Sequence, residues 1–173
     1  MLDQAFFPPA CAVATETTLE IIPEITTHIR DHWNELGEEK EKYDLDVDWI
    51  FYHRLYEQNR AHVTTARDYW SRELVGYHVV AVVRHTHRNQ LCAGDLVSFV
   101  SPHEPRRAWV LLRMYRHSVA ALSARGINHF RFRSKDYKSL QPLMKRLGFH
   151  PVETVYAMTM KGLTNVSDPP AHG

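Results

Sequence analysis

The spacing of apolar residues changes period twice along the chain. Ile22, Ile25, Ile29, Trp33 and Leu36 recur three or four positions apart, which predicts an amphipathic helix ending at Gly37. The acidic stretch 37–48 reads as a solvated connection, and residues 49–59 as a second helix carrying Trp49, Ile50, Tyr52, Leu55 and Tyr56. Both helices are expected to pack a core face. The pattern then turns β-rich over 62–67, 73–84 and, after a polar turn, 91–100. Gly76, inside the second run, marks either a bulge or a close backbone approach. A helix follows over 108–125 with Gly126 in the C-cap role. Residues 127–133 alternate as a strand, Ser134 opens a short helix through Leu147 closed by Gly148, and 152–160 reads as a final strand. Residues 1–18 are expected as a flexible N-terminal arm, 19–161 as a single domain and 162–173 as a disordered tail. This order predicts an α/β (α+β) fold, a central sheet flanked by helices.

Composition narrows the class. A chain of 173 residues with 44% hydrophobic positions can bury one core without staples. No run approaches the length of a membrane span, and the first residues lack a signal-peptide pattern, so a cytoplasmic protein without a membrane role is expected. Cys11 and Cys92 fit neither a metal spacing nor a disulfide framework. The net charge of +1 conceals an asymmetry: residues 1–60 hold 13 acidic against 5 basic side chains, the remainder 7 against 16. A basic second part suits an anionic ligand, although solvated helix faces produce the same imbalance. The near-neutral total argues against a nucleic-acid partner.

The most informative segment runs from Asp95 to Gly126: a strand, an abrupt turn rich in Pro and Arg, then a helix. A strand that delivers a helix N-terminus into a crevice is a ready anion seat, and Arg106 and Arg107 add charge there. Glu104 caps that helix start or, in the same position, competes with a bound anion. Asp95 is either a general base, directly or through water, or a turn carboxylate. His85 and His87 share one side of an extended segment and are candidate bases near neutral pH, or simply polar turn residues. His28 and His32 stand one helical turn apart, but no zinc motif accompanies them, and no metal is expected. Arg131, Arg133 and Lys135 alternate along a strand edge, facing a phosphate, an acidic partner or solvent.

The segments ELVGY (73–77), the HTH turn (85–87), Asp95, SPHEPRR (101–107), ARGINHFRF (124–132) and MKRLGFHPVETVYAM (144–158), in this order and spacing, resemble the GNAT N-acetyltransferase superfamily. Together with HW at 32–33 and DWIFY at 48–52 they resemble its bacteriophage-encoded members in particular. The resemblance implies a GNAT-like mixed sheet whose two central strands splay apart to admit the pantetheine arm of acetyl-CoA. It implies that the backbone of Phe99, Val100 and Ser101 faces pantetheine. It places Arg106, Arg107, Ala108, Trp109 and Val110 against the pyrophosphate, with a general base removing the acceptor's proton and an acid meeting the thiolate. The family's turn follows R-x-x-G-x-G/A, whereas the corresponding positions here include Trp109 and Leu111, so Trp109 is expected to obstruct the seat unless Ala108 takes the close approach and the arginines bind through side chains. Where the family often carries an acidic Tyr, this chain has Met144; Tyr137 or Tyr156 would have to substitute. The implied activity is acetyl transfer to a host protein or a small amine. The rival is an inactive GNAT-fold protein that binds and modulates a host enzyme in the host cytoplasm. Oligomeric state is not legible.

Overall fold

The computed structural model describes residues 11–16, 18–36, 44–85, 87–134 and 139–153. Its elements in chain order are β1 (Cys11–Glu16), α1 (Thr18–Asn34), α2 (Trp49–Glu57), β2 (Ala61–Asp68), β3 (Leu74–Arg84), β4 (Leu91–Val100), α3 (Arg107–Ala124), β5 (Phe130–Arg131) and α4 (Gln141–Arg146). The strands form one sheet in the order β1-β2-β3-β4-β5. The first four are antiparallel neighbours, and β5 is parallel to β4. The sheet is mixed and flanked by helices, as the sequence predicts.

Central β3 is buried over most of its length, so its run LVGYHVVAVV is apolar on both faces and does not alternate. On one face Ile21 and Ile25 of α1 pack with Val63, Leu74, Tyr77, Val79 and Phe99. On the other, Val110 and Met114 of α3 pack with Cys11, Ala66 and Val100. Further along that helix Leu122 meets Val80, Val82, Ala93 and Ile127.

Three expectations change. The arm expected over 1–18 contains β1, an edge strand of small residues paired from Cys11↔Asp68 to Glu16↔Val63. An edge strand carries little hydrophobic signal of its own. Side chains hold it instead: the Arg67 guanidinium bonds both carboxylate oxygens of Glu16 at 2.7 Å and both of Glu24 on α1 at 2.6 and 2.7 Å. The strand expected over 127–133 reduces to the two residues of β5. The short helix expected from Ser134 begins at Gln141, and most of the final strand expected over 152–160 lies outside the described residues.

Gly76 answers to both of its expected roles. Val75 is the extra residue where the β2–β3 register shifts between Ala66↔Gly76 and Arg67↔Leu74. A Cβ on Gly76 would stand 2.8 Å from the Phe99 carbonyl oxygen of β4. That obstacle is backbone, so Gly76→Ala should cost about 2–3 kcal/mol, read as a lowered urea midpoint.

Between sheet and α3 lies a buried polar chain. His78 Nδ1 is 2.8 Å from Ser118 Oγ, which is 2.8 Å from Thr64 Oγ1, which is 3.1 Å from His62 Nε2. His78 Nε2 has no hydrogen-bond partner among the described residues, and its ring meets Tyr115 and Phe132 edge to face. Burial pushes His78 down to about 3 and His62 to about 4. Both are neutral when folded, whereas an unfolded chain protonates them below about pH 6.5. Their contribution is therefore intact above pH 6.5 and falls as pH drops towards 4, by about 1.4 kcal/mol per histidine per pH unit. Denaturant titrations between pH 7.5 and 4.5 should show this decline, reduced in His62→Gln; a flat profile would contradict it.

Candidate functional site

The site is built on β4, whose two edges are treated differently. Towards β3 it pairs from Leu91↔Arg84 to Val100↔Gly76, with Ser101 N donating to Val75 O at 2.8 Å. Towards β5 it pairs only at Ala93↔Phe130 and Gly94↔Arg131. Next, Arg133 N donates to the Asp95 carboxylate at 2.7 Å in place of a main-chain carbonyl. Among the described residues no strand covers this edge from Asp95 to Val100, so a fork opens there, about 15 Å long at strand rise.

A bulge phases the side chains along the fork. The β3–β4 register steps from Val80↔Asp95 to Val79↔Val97, leaving Leu96 as the extra residue. Leu96 and Val97 therefore both pack on the α1 side. Ser98 turns to the α3 side, where its Oγ accepts from Tyr115 OH at 2.9 Å.

Asp95 stands at the closed end of the fork, 8% exposed. Desolvation pushes its carboxyl up to about 6, with the Arg133 N–H and charge pulling the other way. It is ionised at neutral pH yet far more basic than an ordinary aspartate, which is the property a proton acceptor needs.

The far end of the fork meets the Ser101–Arg106 turn and the start of α3. Glu104 accepts from Arg106 N at 2.9 Å, a bond within the turn; Arg106 is the N-cap residue, and no side chain caps the helix N–H groups, so the expected capping role is not the one observed. The Arg106 side chain is 58% exposed. Arg107 turns inward: its Nε and Nη2 donate to Val100 O at 3.1 and 2.7 Å, and Nη2 also bonds Glu35 beyond the end of α1. Trp109 does not cover the seat. It lies two residues, about 200° of helix turn, from Arg107. Its ring instead holds the Arg113 guanidinium at 4.7 Å, while Arg113 Nη1 donates to Cys11 O at 2.7 Å, on the β1 flank. The Trp109 ring thus lies on the β1 flank, away from the Arg107 side of the turn, and Ala108 is exposed there.

The remaining expected residues divide. The Phe99 side chain is buried and its carbonyl is directed at β3, and Ser101 N is spent on Val75, so of that trio only the Val100 backbone faces the fork. The Val110 side chain is fully buried under the sheet and cannot touch a ligand. His85 and His87 occupy the β3–β4 turn at the opposite end of β4, roughly 30 Å from Val100 at strand rise. There His85 Nε2 lies 3.4 Å from Arg131 Nη2. Tyr137, Tyr156 and Lys135 lie outside the described residues. No group of three or more His, Cys, Asp or Glu among the described residues is arranged to hold a metal.

Sequence reasoning missed the α1 side of the fork. His32 Nδ1 is 3.0 Å from Tyr77 OH, and the rings of His28 and His32 pack on Phe99. Tyr77 also borders a small apolar pocket of about 30 Å³ with Ile29, Trp49, Tyr52 and Val97. The i,i+4 spacing of the two histidines was visible, but their aromatic floor comes from β3 and β4. Burial raises the Tyr77 and Tyr52 phenols, so neither is ionised near neutrality.

No family model matches the chain, and no curated protein matches its sequence. Solved structures match its shape. An aminoglycoside acetyltransferase from an uncultured soil metagenomic sample is 14% identical with a TM-score of 0.65, covering 88% of this chain and 97% of its own. Ribosomal-protein-alanine N-acetyltransferase from Brucella melitensis biovar Abortus 2308 gives 11%, 0.65, 88% and 100%. A predicted acetyltransferase from Clostridium acetobutylicum, crystallised with acetyl-CoA, gives 11%, 0.63, 86% and 96%. The chain has the GNAT acetyltransferase fold. No described helix is long and apolar enough to cross a membrane.

Asp95 carries an energetic signature of its role. A carboxyl near 6 when folded and near 3.9 when unfolded destabilises the protein increasingly from pH 4 to 6 and then by a constant amount, about 3 kcal/mol before solvent screening. Asp95→Asn keeps an oxygen for Arg133 N–H and removes the charge. At pH 7.5 it should raise the thermal midpoint by a few degrees; a midpoint lowered at that pH would refute this account.

Proposed function

We propose that the protein is an acetyl-CoA-dependent N-acetyltransferase. The observation that carries the reading is the pairing of a buried, unusually basic carboxylate at the closed end of the fork with a cationic helix start at its open end. The chemistry calls for an extended amide-bearing arm beside β4, anionic oxygens near Arg106 and the first N–H groups of α3, and a base near the thioester. The backbone of Ser98 faces the open edge by strand alternation and suits the arm. Arg106, exposed but 3.9 Å from the Glu104 carboxylate, suits the phosphates once it exchanges that partner for them.

Bound acetyl-CoA supplies an activated acyl carbon. Asp95 takes the proton of the acceptor ammonium, directly or through one water. As the C–N bond formed and the C–S bond broke, the nitrogen would release its second proton to solvent, and the departing thiolate would take a proton from an acid that solvent then recharges. Tyr137 and Tyr156 are proposed for that last role from the family resemblance. The same resemblance underlies the proposal of bacteriophage origin and of a host protein or small amine in the host cytoplasm as acceptor.

A second reading, an inactive GNAT-fold modulator of a host enzyme, is favoured by one observation: the Val100 carbonyl is already occupied by Arg107. Calorimetry with acetyl-CoA separates the two. A dissociation constant below about 100 µM, roughly −5.5 kcal/mol, weakened about three- to tenfold by Arg106→Ala, supports transfer. With an acceptor found, kcat/KM should rise with pH through an inflection near 6 and then level, as deprotonated Asp95 accumulates. Absence of heat at millimolar acetyl-CoA discards the enzyme reading.

A further inference from the structure

The edge that a cofactor arm would use is not open along its whole length. Val100 O accepts two hydrogen bonds from the same guanidinium, Arg107 Nε at 3.1 Å and Nη2 at 2.7 Å. A carbonyl has two lone pairs, so this one has no capacity left for an arm amide. Nη2 also bonds Glu35 Oε1 at 2.5 Å, an ion pair between groups 35% and 22% exposed. One side chain thereby joins the end of β4, the start of α3 and the turn after α1, an element on the other face of the sheet.

We propose that Arg107 is a latch at the end of the cofactor fork, closed in the unliganded protein, which must leave the Val100 carbonyl before an arm can pair with β4 at that residue as well as at Ser98, and that Glu35 sets its strength. This rests on the acetyl-CoA reading above. Arg107 is the first residue of α3, so on release its guanidinium stays beside the helix N-terminus and can exchange the Glu35 carboxylate for a phosphate. Phosphate in the seat thus favours opening, and the arm gains its acceptor when the phosphates find a cation. Apparent affinity equals intrinsic affinity reduced by the fraction of molecules with the latch open. A ligand lacking phosphates has to open the latch with nothing in exchange.

The test titrates full-length wild type, Glu35→Gln and Arg107→Ala with acetyl-CoA and with phosphate-free S-acetylpantetheine, thermal unfolding confirming that each is folded. Glu35→Gln should bind acetyl-CoA about three- to tenfold more tightly than wild type. Both variants should bind S-acetylpantetheine more tightly. Arg107→Ala should bind acetyl-CoA less tightly than Glu35→Gln, having lost the phosphate partner along with the latch. If Glu35→Gln equals or falls below wild type for acetyl-CoA, the latch is wrong while the cofactor reading stands. Should Glu35→Gln fail to fold, tightening of S-acetylpantetheine by Arg107→Ala decides alone. If no protein binds acetyl-CoA, the cofactor reading falls and the latch with it.

Discussion

The candidate site depends on one constraint: among the described residues, β4 loses its second strand partner after Gly94. A strand in mid-sheet normally has its backbone donors and acceptors paired on both sides. Here β3 satisfies one side throughout, while β5 satisfies the other for two residues. The backbone groups beyond must find other partners or a ligand. Asp95 supplies a carboxylate to the first displaced N–H, that of Arg133, and Arg107 supplies a guanidinium to the last exposed carbonyl, that of Val100. The carboxylate and the guanidinium at the two ends of the fork both pair with backbone groups that the interrupted ladder leaves over.

The two ends differ in cost. At the closed end a carboxylate is kept out of water with a backbone N–H as its hydrogen-bond partner, and its elevated pKa records the penalty. At the open end Arg107 is paired with a carboxylate and stays partly solvated, an arrangement that costs little to make and little to undo. The bulge at Leu96 separates these environments. It lets Asp95 and Ser98, three positions apart, face α3 while Leu96 and Val97 line the α1 side, which periodicity two alone forbids. An acceptor approaching from the α1 side would therefore meet apolar and aromatic surface, with the buried carboxylate just beyond it.

Much of the fold was legible because its signals are local. Ile22, Ile25 and Ile29 announced α1, the β-rich run after Glu73 announced a strand, and Gly126 closed α3 with the positive φ its position just past the helix end requires. β1 was not legible, since Cys11–Glu16 is mostly small residues held by Arg67 from 51 positions away. Asp95 was recognised as a candidate from its place at a strand opening, but its basicity comes from burial beneath the fork and has no sequence signal. The Arg107–Glu35 pair spans 72 positions and has none either. A histidine pair reads alike at either end of a strand, and only the three-dimensional structure places His85 and His87 at the end of β4 opposite the fork.

The missing glycines look different once the turn is seen in three dimensions. Small residues in an anion loop let backbone N–H groups come close to phosphate, and their loss matters only if the replacing side chain points into the seat. Trp109 does not, because Arg113, four residues on, covers its ring and is itself tied to β1, so the indole is committed to the far flank of α3. That spacing was in the sequence, readable as an i,i+4 cation–aromatic pair. On the proposed acetyl-CoA reading, side-chain charge from Arg106 and Arg107 would take over part of what glycine-exposed amides provide. A guanidinium can pair elsewhere when no phosphate is present, as Arg107 does, whereas a backbone amide cannot leave its place. A seat built from arginines is consequently one whose empty state has a structure of its own.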